Sequence, residues 1–169
     1  TSDYYHHDMY HLLASRAIAS LESLSGLGSD SLINARIEGI YRHMMDSYRR
    51  TDNPDALLLT NLDYLQWKRR TDPGFRPYHA PEGRIGLTQD PYLAALNKLI
   101  AENQSRDICA EVYLLKAQEA VNAGVPASGL QLCDEAISRY PAYHRINALR
   151  ELKQDILSPD FTVQTPSAV

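Results

Sequence analysis

The sequence predicts an all-α protein of about seven amphipathic helices folded back on one another as antiparallel hairpins. Three observations carry this. Apolar residues recur at steps of three and four, which places them on one face of a helix. Cap residues, prolines and glycines stand where such faces begin and end. No continuous strand pattern, alternating apolar and polar residues, appears before residue 160.

The first helix is expected from Asp8 to Leu24, with Met9, Leu13, Ala17, Leu21 and Leu24 in its stripe. Gly26 and Gly28 follow it, and glycine tolerates the left-handed conformation that closes a helix. A second helix reads from about Ser31 to Arg50, with Ile33, Ile37, Ile40, Tyr41, Met44 and Tyr48 on its apolar face. Arg49 and Arg50 lie in its last turn, where cations oppose the helix dipole. Asn53-Pro54 pairs a capping side chain with a proline at the first helical position, and Leu58, Leu62 and Leu65 then run toward Trp67. Asp90-Pro91 repeats that start signal before Tyr92, Leu93, Leu96, Leu99 and Ile100. A fifth helix is expected from about Arg106 to Ala123, ending at Gly124. Pro126 opens a sixth, with Leu130, Cys133, Ala136 and Ile137 turned inward, and Tyr140-Pro141 stops it. The last carries Ile146, Leu149, Leu152 and Ile156 and closes at Pro159.

This order divides the chain into an N-terminal helical half over 1–70, a Pro/Gly-rich loop over 71–89, a C-terminal helical half over 90–157, and a strand-like tail over 158–169. The tail alternates apolar and polar residues but is too short to stand alone, so it reads as the lead-in to a β domain.

Composition narrows the function classes. Hydrophobic residues make up 44% of 169, enough for a packed core and against disorder. The formal charge is −4, with basic and acidic residues interleaved and no basic stripe, so nucleic acid is not an expected partner. No apolar run is long enough to cross a bilayer, so direct membrane insertion is not expected. The N-terminus has no basic start and no apolar signal core. The expectation is a removed signal or a chain that begins inside a longer one.

The clearest internal motif spans Glu111 to Pro141. Tetratricopeptide repeats put small residues where the two helices of a hairpin cross and a proline after the second helix. Tyr113, Ala117, Ala120, Gly129, Ala136 and Pro141 stand at that spacing. Lys116 departs from it, in a place where the repeat has leucine, and Cys133 replaces the usual aromatic. The C-terminal half therefore reads as a degenerate tetratricopeptide-like hairpin within an α–α superhelix.

A second resemblance runs along nearly the whole chain, from Tyr10 to Val163. Tyr10-His-Leu-Leu-Ala-Ser-Arg-Ala-Ile-Ala, then Asn53-Pro-Asp-Ala-Leu with Asn61-Leu-Asp-Tyr-Leu, then Leu132-Cys-Asp-Glu-Ala-Ile-Ser-Arg-Tyr-Pro, then Ile156-Leu-Ser-Pro-Asp-Phe-Thr-Val, follow one another in order. Taken together they resemble the helical N-terminal region of large bacterial alpha-2-macroglobulin family proteins. The resemblance implies a non-catalytic scaffold and interaction domain of a protease trap, exported and held in the periplasm or cell envelope. Its implied partners are adjacent β domains of the parent chain, proteases and other envelope proteins. Trapping by thioester needs Cys-x-Glu-Gln, and Cys133-Asp-Glu-Ala136 has alanine where the amide must stand. A free-standing peptide-binding module and a metal-dependent hydrolase are the alternatives.

Few side chains ask for chemistry. His7 and His11 share a helix face, as zinc-binding pairs do, but Asp8 and Met9 follow His7 where the zincin motif needs glutamate, so His6, His7 and His11 read as structural or solvated. Asp52, Asp55, Asp63, Glu102 and Asp107 fit helix starts and polar faces. No catalytic residue, metal ligand or cofactor is expected. Cys109 and Cys133 have neither metal nor redox spacing and are expected as free thiols. Tyrosine is frequent at interfaces, and Tyr4, Tyr5, Tyr10, Tyr140 and Tyr143 form the candidate interaction surface, while any single tyrosine is more often packed between helices with its hydroxyl at the surface.

Overall fold

The computed structural model describes residues 9–25, 31–75 and 90–158. Among them the protein is all-helical: α1 (Met9–Ser25), α2 (Ser31–Arg50), α3 (Pro54–Thr71), a 3-10 turn (Pro73–Phe75), α4 (Pro91–Asn103), α5 (Cys109–Asn122), α6 (Pro126–Arg139) and α7 (Ile146–Leu157). No strand occurs among the described residues. The expected tail from Pro159 onward and the part of the expected loop over 76–89 lie outside them. The chain divides into two compact units, Thr1–Ala95 and Leu96–Val169, and the division falls within α4.

In the first unit α1 packs on α2, and α2 on α3. The core joins Ile18 of α1 to Ile37, Tyr41, Met44, Met45 and Tyr48 of α2 and to Ala56, Tyr64 and Trp67 of α3. Tyr41, Tyr64 and Trp67 pack ring against ring, with centroids 5.5, 5.7 and 6.0 Å apart. Leu58, Leu62 and Leu65 are buried as their spacing predicts. Ala56, Thr60, Tyr64 and Trp67 bury a second face of α3, and the Thr60 hydroxyl donates to the Ala56 carbonyl at 2.7 Å, so a polar side chain is accommodated there.

The caps explain the helix ends. The Asn53 side chain accepts from the Ala56 N–H at 3.3 Å, with Pro54 in the first turn. Asp90 Oδ1 accepts from Tyr92 N–H at 3.0 Å and Leu93 N–H at 3.3 Å. α2 ends on Asp52, whose φ is +51°, with Asp52 N–H donating to the Arg49 carbonyl and Asn53 N–H to the Tyr48 carbonyl. That is the two-bond Schellman closure, built without the glycine that normally favours it. Thr71, expected in the loop, is the last residue of α3, and Asp72 Oδ1 then receives the Gly74 N–H at 2.9 Å.

In the second unit α6 packs against both α5 and α7, and α7 also touches α5. α5 begins at Cys109 and not at Arg106, because Arg106, Cys109, Ala110 and Glu111 each donate to the carbonyl three residues back, a tighter winding than the α-helix. Gly124, with φ +82°, closes α5 by the same two-bond motif, through Val121 and Ala120 carbonyls. Ala117, Cys133 and Ala136 are fully buried, and Gly129 is buried between them. A Cβ placed on Gly129 would meet a Val121 methyl at 3.0 Å, the Ala117 carbonyl oxygen at 3.1 Å and Ile156 Cδ1 at 3.4 Å. The small residues therefore lie at the crossing, except that Ala120 is half-buried and Val121 is the α5 side chain facing Gly129.

The crossing predicts a set of stability differences. Ala117→Leu and Ala136→Leu should each lose about 1–3 kcal/mol by overpacking, whereas Ala127→Leu, exposed in the first turn of α6, should lose almost nothing. Gly129→Ala should destabilise against the Ala117 backbone, while Gly39→Ala, with nothing within 4 Å of the added carbon, should gain about 0.5–1 kcal/mol. Denaturant midpoints of the five variants check this, and equal midpoints would disprove the crossing.

An ion pair in the first unit predicts a pH effect. Glu38 Oε1 accepts from the Tyr64 hydroxyl at 2.7 Å and from Arg42 Nη2 at 3.1 Å. The tyrosine bond first, then Arg42, holds the Glu38 carboxyl below its usual value against the opposing pull of burial. A lowered folded pKa stabilises above the unfolded carboxylate value and is lost as pH falls through the folded one. Tyr64→Phe should therefore cost about 1 kcal/mol at pH 7, and the deficit should shrink in urea titrations below about pH 4.5.

Candidate functional site

The first unit carries an open groove of about 680 Å³ between α1 and α2. Leu13, Ala17 and Leu21 form one wall; Gly39 and Ile40 form the other. Arg36 and His43 stand on the α2 side, and Tyr10 on the α1 side, where its ring meets His43 at 6.0 Å and the edge of Tyr48 at 6.1 Å. Among the described α1 side chains Ile18 alone is in the buried core, while Leu13 is 58% exposed. The expected α1 stripe is thus only partly covered: Leu21 packs against the core, whereas Leu13, Ala17 and Leu24 stay open. Gly39 was given no role by the sequence reading. A glycine inside a helix costs about 1 kcal/mol against alanine, and nothing lies within 4 Å of the position its Cβ would take.

The candidate interaction tyrosines divide. Tyr4 and Tyr5 lie outside the described residues, as do His6 and His7. Tyr10 is half-buried at the groove. Tyr140 and Tyr143 do not form a surface: they are 3% and 7% exposed. The Tyr140 hydroxyl donates to the Gln104 carbonyl at 2.8 Å, and the Tyr143 hydroxyl to Glu111 Oε1 at 2.7 Å. Their rings fill the core because their hydroxyls find acceptors on distant parts of the chain. Glu111, itself buried, also meets Arg145 Nε at 3.3 Å. Tyr113 is buried against Tyr140 and donates to Glu135 Oε1 at 3.1 Å, and Pro141 sits exposed in the turn beyond α6. Burial pushes the Tyr140 hydroxyl up to about 12, so it remains a donor throughout the usual pH range.

His11 lies 3.3 Å from the Ser15 hydroxyl and 4.0 Å from Asp63 Oδ2. Among the described residues no group of three or more His, Cys, Asp or Glu side chains is placed to hold a metal ion. Asp55 lies in the first turn of α3, and Glu102 pairs with Lys98 at 3.9 Å along α4. A second hollow, of about 370 Å³, lies between the start of α2 and the end of α3, with Asn34, Glu38, Lys68 and Asp72 around it. Its charges are of both signs and partly engaged: Glu38 with Tyr64 and Arg42, Asp72 with the Gly74 N–H, and Lys68 over the Phe75 ring at 5.0 Å.

No protein-family model, curated protein or solved structure matches this chain.

Cys109 and Cys133 are free and fully buried. Burial raises both thiols, Cys133 to about 11, and a thiol held protonated is a poor nucleophile. In native protein at pH 8 neither should react with iodoacetamide on a timescale that labels free cysteine, and both should label in denaturant. Mass spectrometry showing rapid native labelling of either one would contradict the packing.

Proposed function

We propose that the chain is a non-catalytic helical scaffold and interaction domain. The open apolar groove beside α1 carries this reading. Elsewhere the polar groups tie helices together: buried tyrosine hydroxyls reach Gln104 and Glu111, and Lys153 meets Asp134 at 2.6 Å. Groups so engaged hold one part of the fold against another, as a scaffold requires. The order of the four sequence blocks from Tyr10 to Val163 supports the finer assignment, to the helical N-terminal region of a bacterial alpha-2-macroglobulin-like protease trap of the cell envelope. In that setting the domain orients neighbouring β domains and presents a docking face, and the trapping residues belong to other parts of the parent.

A protease assay on the parent protein and on this chain alone tests the proposal. The parent should leave the captured protease able to cleave a small chromogenic peptide but not a large protein substrate. The isolated chain should do neither, and should show no hydrolase activity of its own. Block of a protease active site by the isolated chain, or turnover that survives repurification, would remove the scaffold reading. Absence of trapping by the parent would remove the finer assignment alone.

A further inference from the structure

We infer that the α1–α2 groove docks a third helix from a protein partner, one with an apolar stripe and acidic flanks. This rests on the interaction-domain reading and names its ligand. The shape comes first. The lining on α1 runs from Tyr10 to Leu21, about 16 Å of helix axis at 1.5 Å per residue, or roughly three turns. Gly39 lies on the α2 wall with nothing within 4 Å of the position its Cβ would take, so another backbone can approach there. An extended peptide laid against Leu13, Ala17 and Ile40 would turn backbone N–H and C=O groups onto apolar walls with no acceptor or donor to meet them. A helix satisfies those groups internally and offers side chains at three- and four-residue steps to an apolar trough.

The charge comes second. Arg36 supplies an exposed guanidinium and His43 a ring N–H, and among the described residues none that lines the groove carries a carboxylate. The nearby acids of α1 and α2 are already engaged: Glu38 with Tyr64 and Arg42, Asp46 with Arg49 at 2.8 Å, and Glu22 with Arg70 at 3.5 Å. Glutamates or aspartates flanking the partner's stripe would therefore meet a complementary rim, and basic flanks would be repelled.

The test is selection from a displayed library of helical peptides of about 16 residues, roughly four turns, on the full chain. Enriched peptides should carry leucine or isoleucine at helical spacing with acidic neighbours. Their affinity, measured by fluorescence anisotropy, should fall about tenfold or more in Gly39→Leu, which fills the groove, and in Arg36→Glu. Both positions are exposed, so circular dichroism should confirm that the helices of both variants remain. Replacing a peptide's acidic flanks with lysine should weaken wild-type binding and restore binding to Arg36→Glu. Enriched peptides that bind Gly39→Leu as well as wild type overturn the groove assignment and leave the interaction-domain reading standing. Basic-flanked winners overturn the charge assignment. Sedimentation showing a dimer that Gly39→Leu dissolves would give the groove to a second copy of the chain and overturn the proposal. A library from which nothing is enriched overturns both readings.

Discussion

A missing side chain sets the geometry of the second unit. At Gly129 the backbone of α6 comes so close to α5 that a single added carbon would contact the Ala117 carbonyl oxygen and a Val121 methyl, and Ile156 reaches the same point from α7. Three helices are thus packed around one absent Cβ, and their freedom to slide is small, because any shift brings a methyl group or a carbonyl into the space. The fully buried Ala117, Cys133 and Ala136 follow from that proximity. Around this dry centre the polar ties form a perimeter: Tyr113 to Glu135, Tyr143 and Arg145 to Glu111, Lys153 to Asp134. Tyr113–Glu135 and Lys153–Asp134 join helices whose spacing the crossing already fixes, and Tyr143 and Arg145 tie the turn before α7 to α5, so the bonds are made with little further ordering.

The first unit solves the same packing problem with large residues. Tyr41, Tyr64 and Trp67 fill the space between α2 and α3 with stacked and tilted rings. α1 turns Tyr10, Ala14, Ile18 and Leu21 to the core, a face shifted from the expected stripe, of which Leu13, Ala17 and Leu24 stay exposed. A helix that spends only part of its apolar face on its own neighbours has the remainder available for another, and among the described residues that uncovered surface separates the two units in character.

Much of the fold was legible because it rests on local signals. Asn53-Pro54 and Asp90-Pro91 cap where they were expected, and Gly124 closes α5 in the left-handed conformation that its position required. The small residues of the hairpin were legible too, since helical spacing alone brings Ala117 and Ala136 to the seam. What escaped was non-local or atypical. Asp52 adopts a conformation usually left to glycine, so no glycine flagged it. Tyr140 and Tyr143 read as surface residues, but their hydroxyls are satisfied 36 and 32 residues away, and such partners leave no mark on the neighbouring sequence. The groove was hidden for a related reason: a stripe at helical spacing looks the same whether its cover comes from its own chain or from elsewhere.

The placement of Trp67 has a practical consequence. It is the one tryptophan in the chain and sits in the buried core of the first unit, while both cysteines are buried in the second. Indole emission therefore follows the melting of one unit and the appearance of titratable thiol follows the other, with no label added. Overlaying the two curves reports directly on cooperativity: coincident transitions mean that the halves unfold as one, and separated transitions give each half its own free energy.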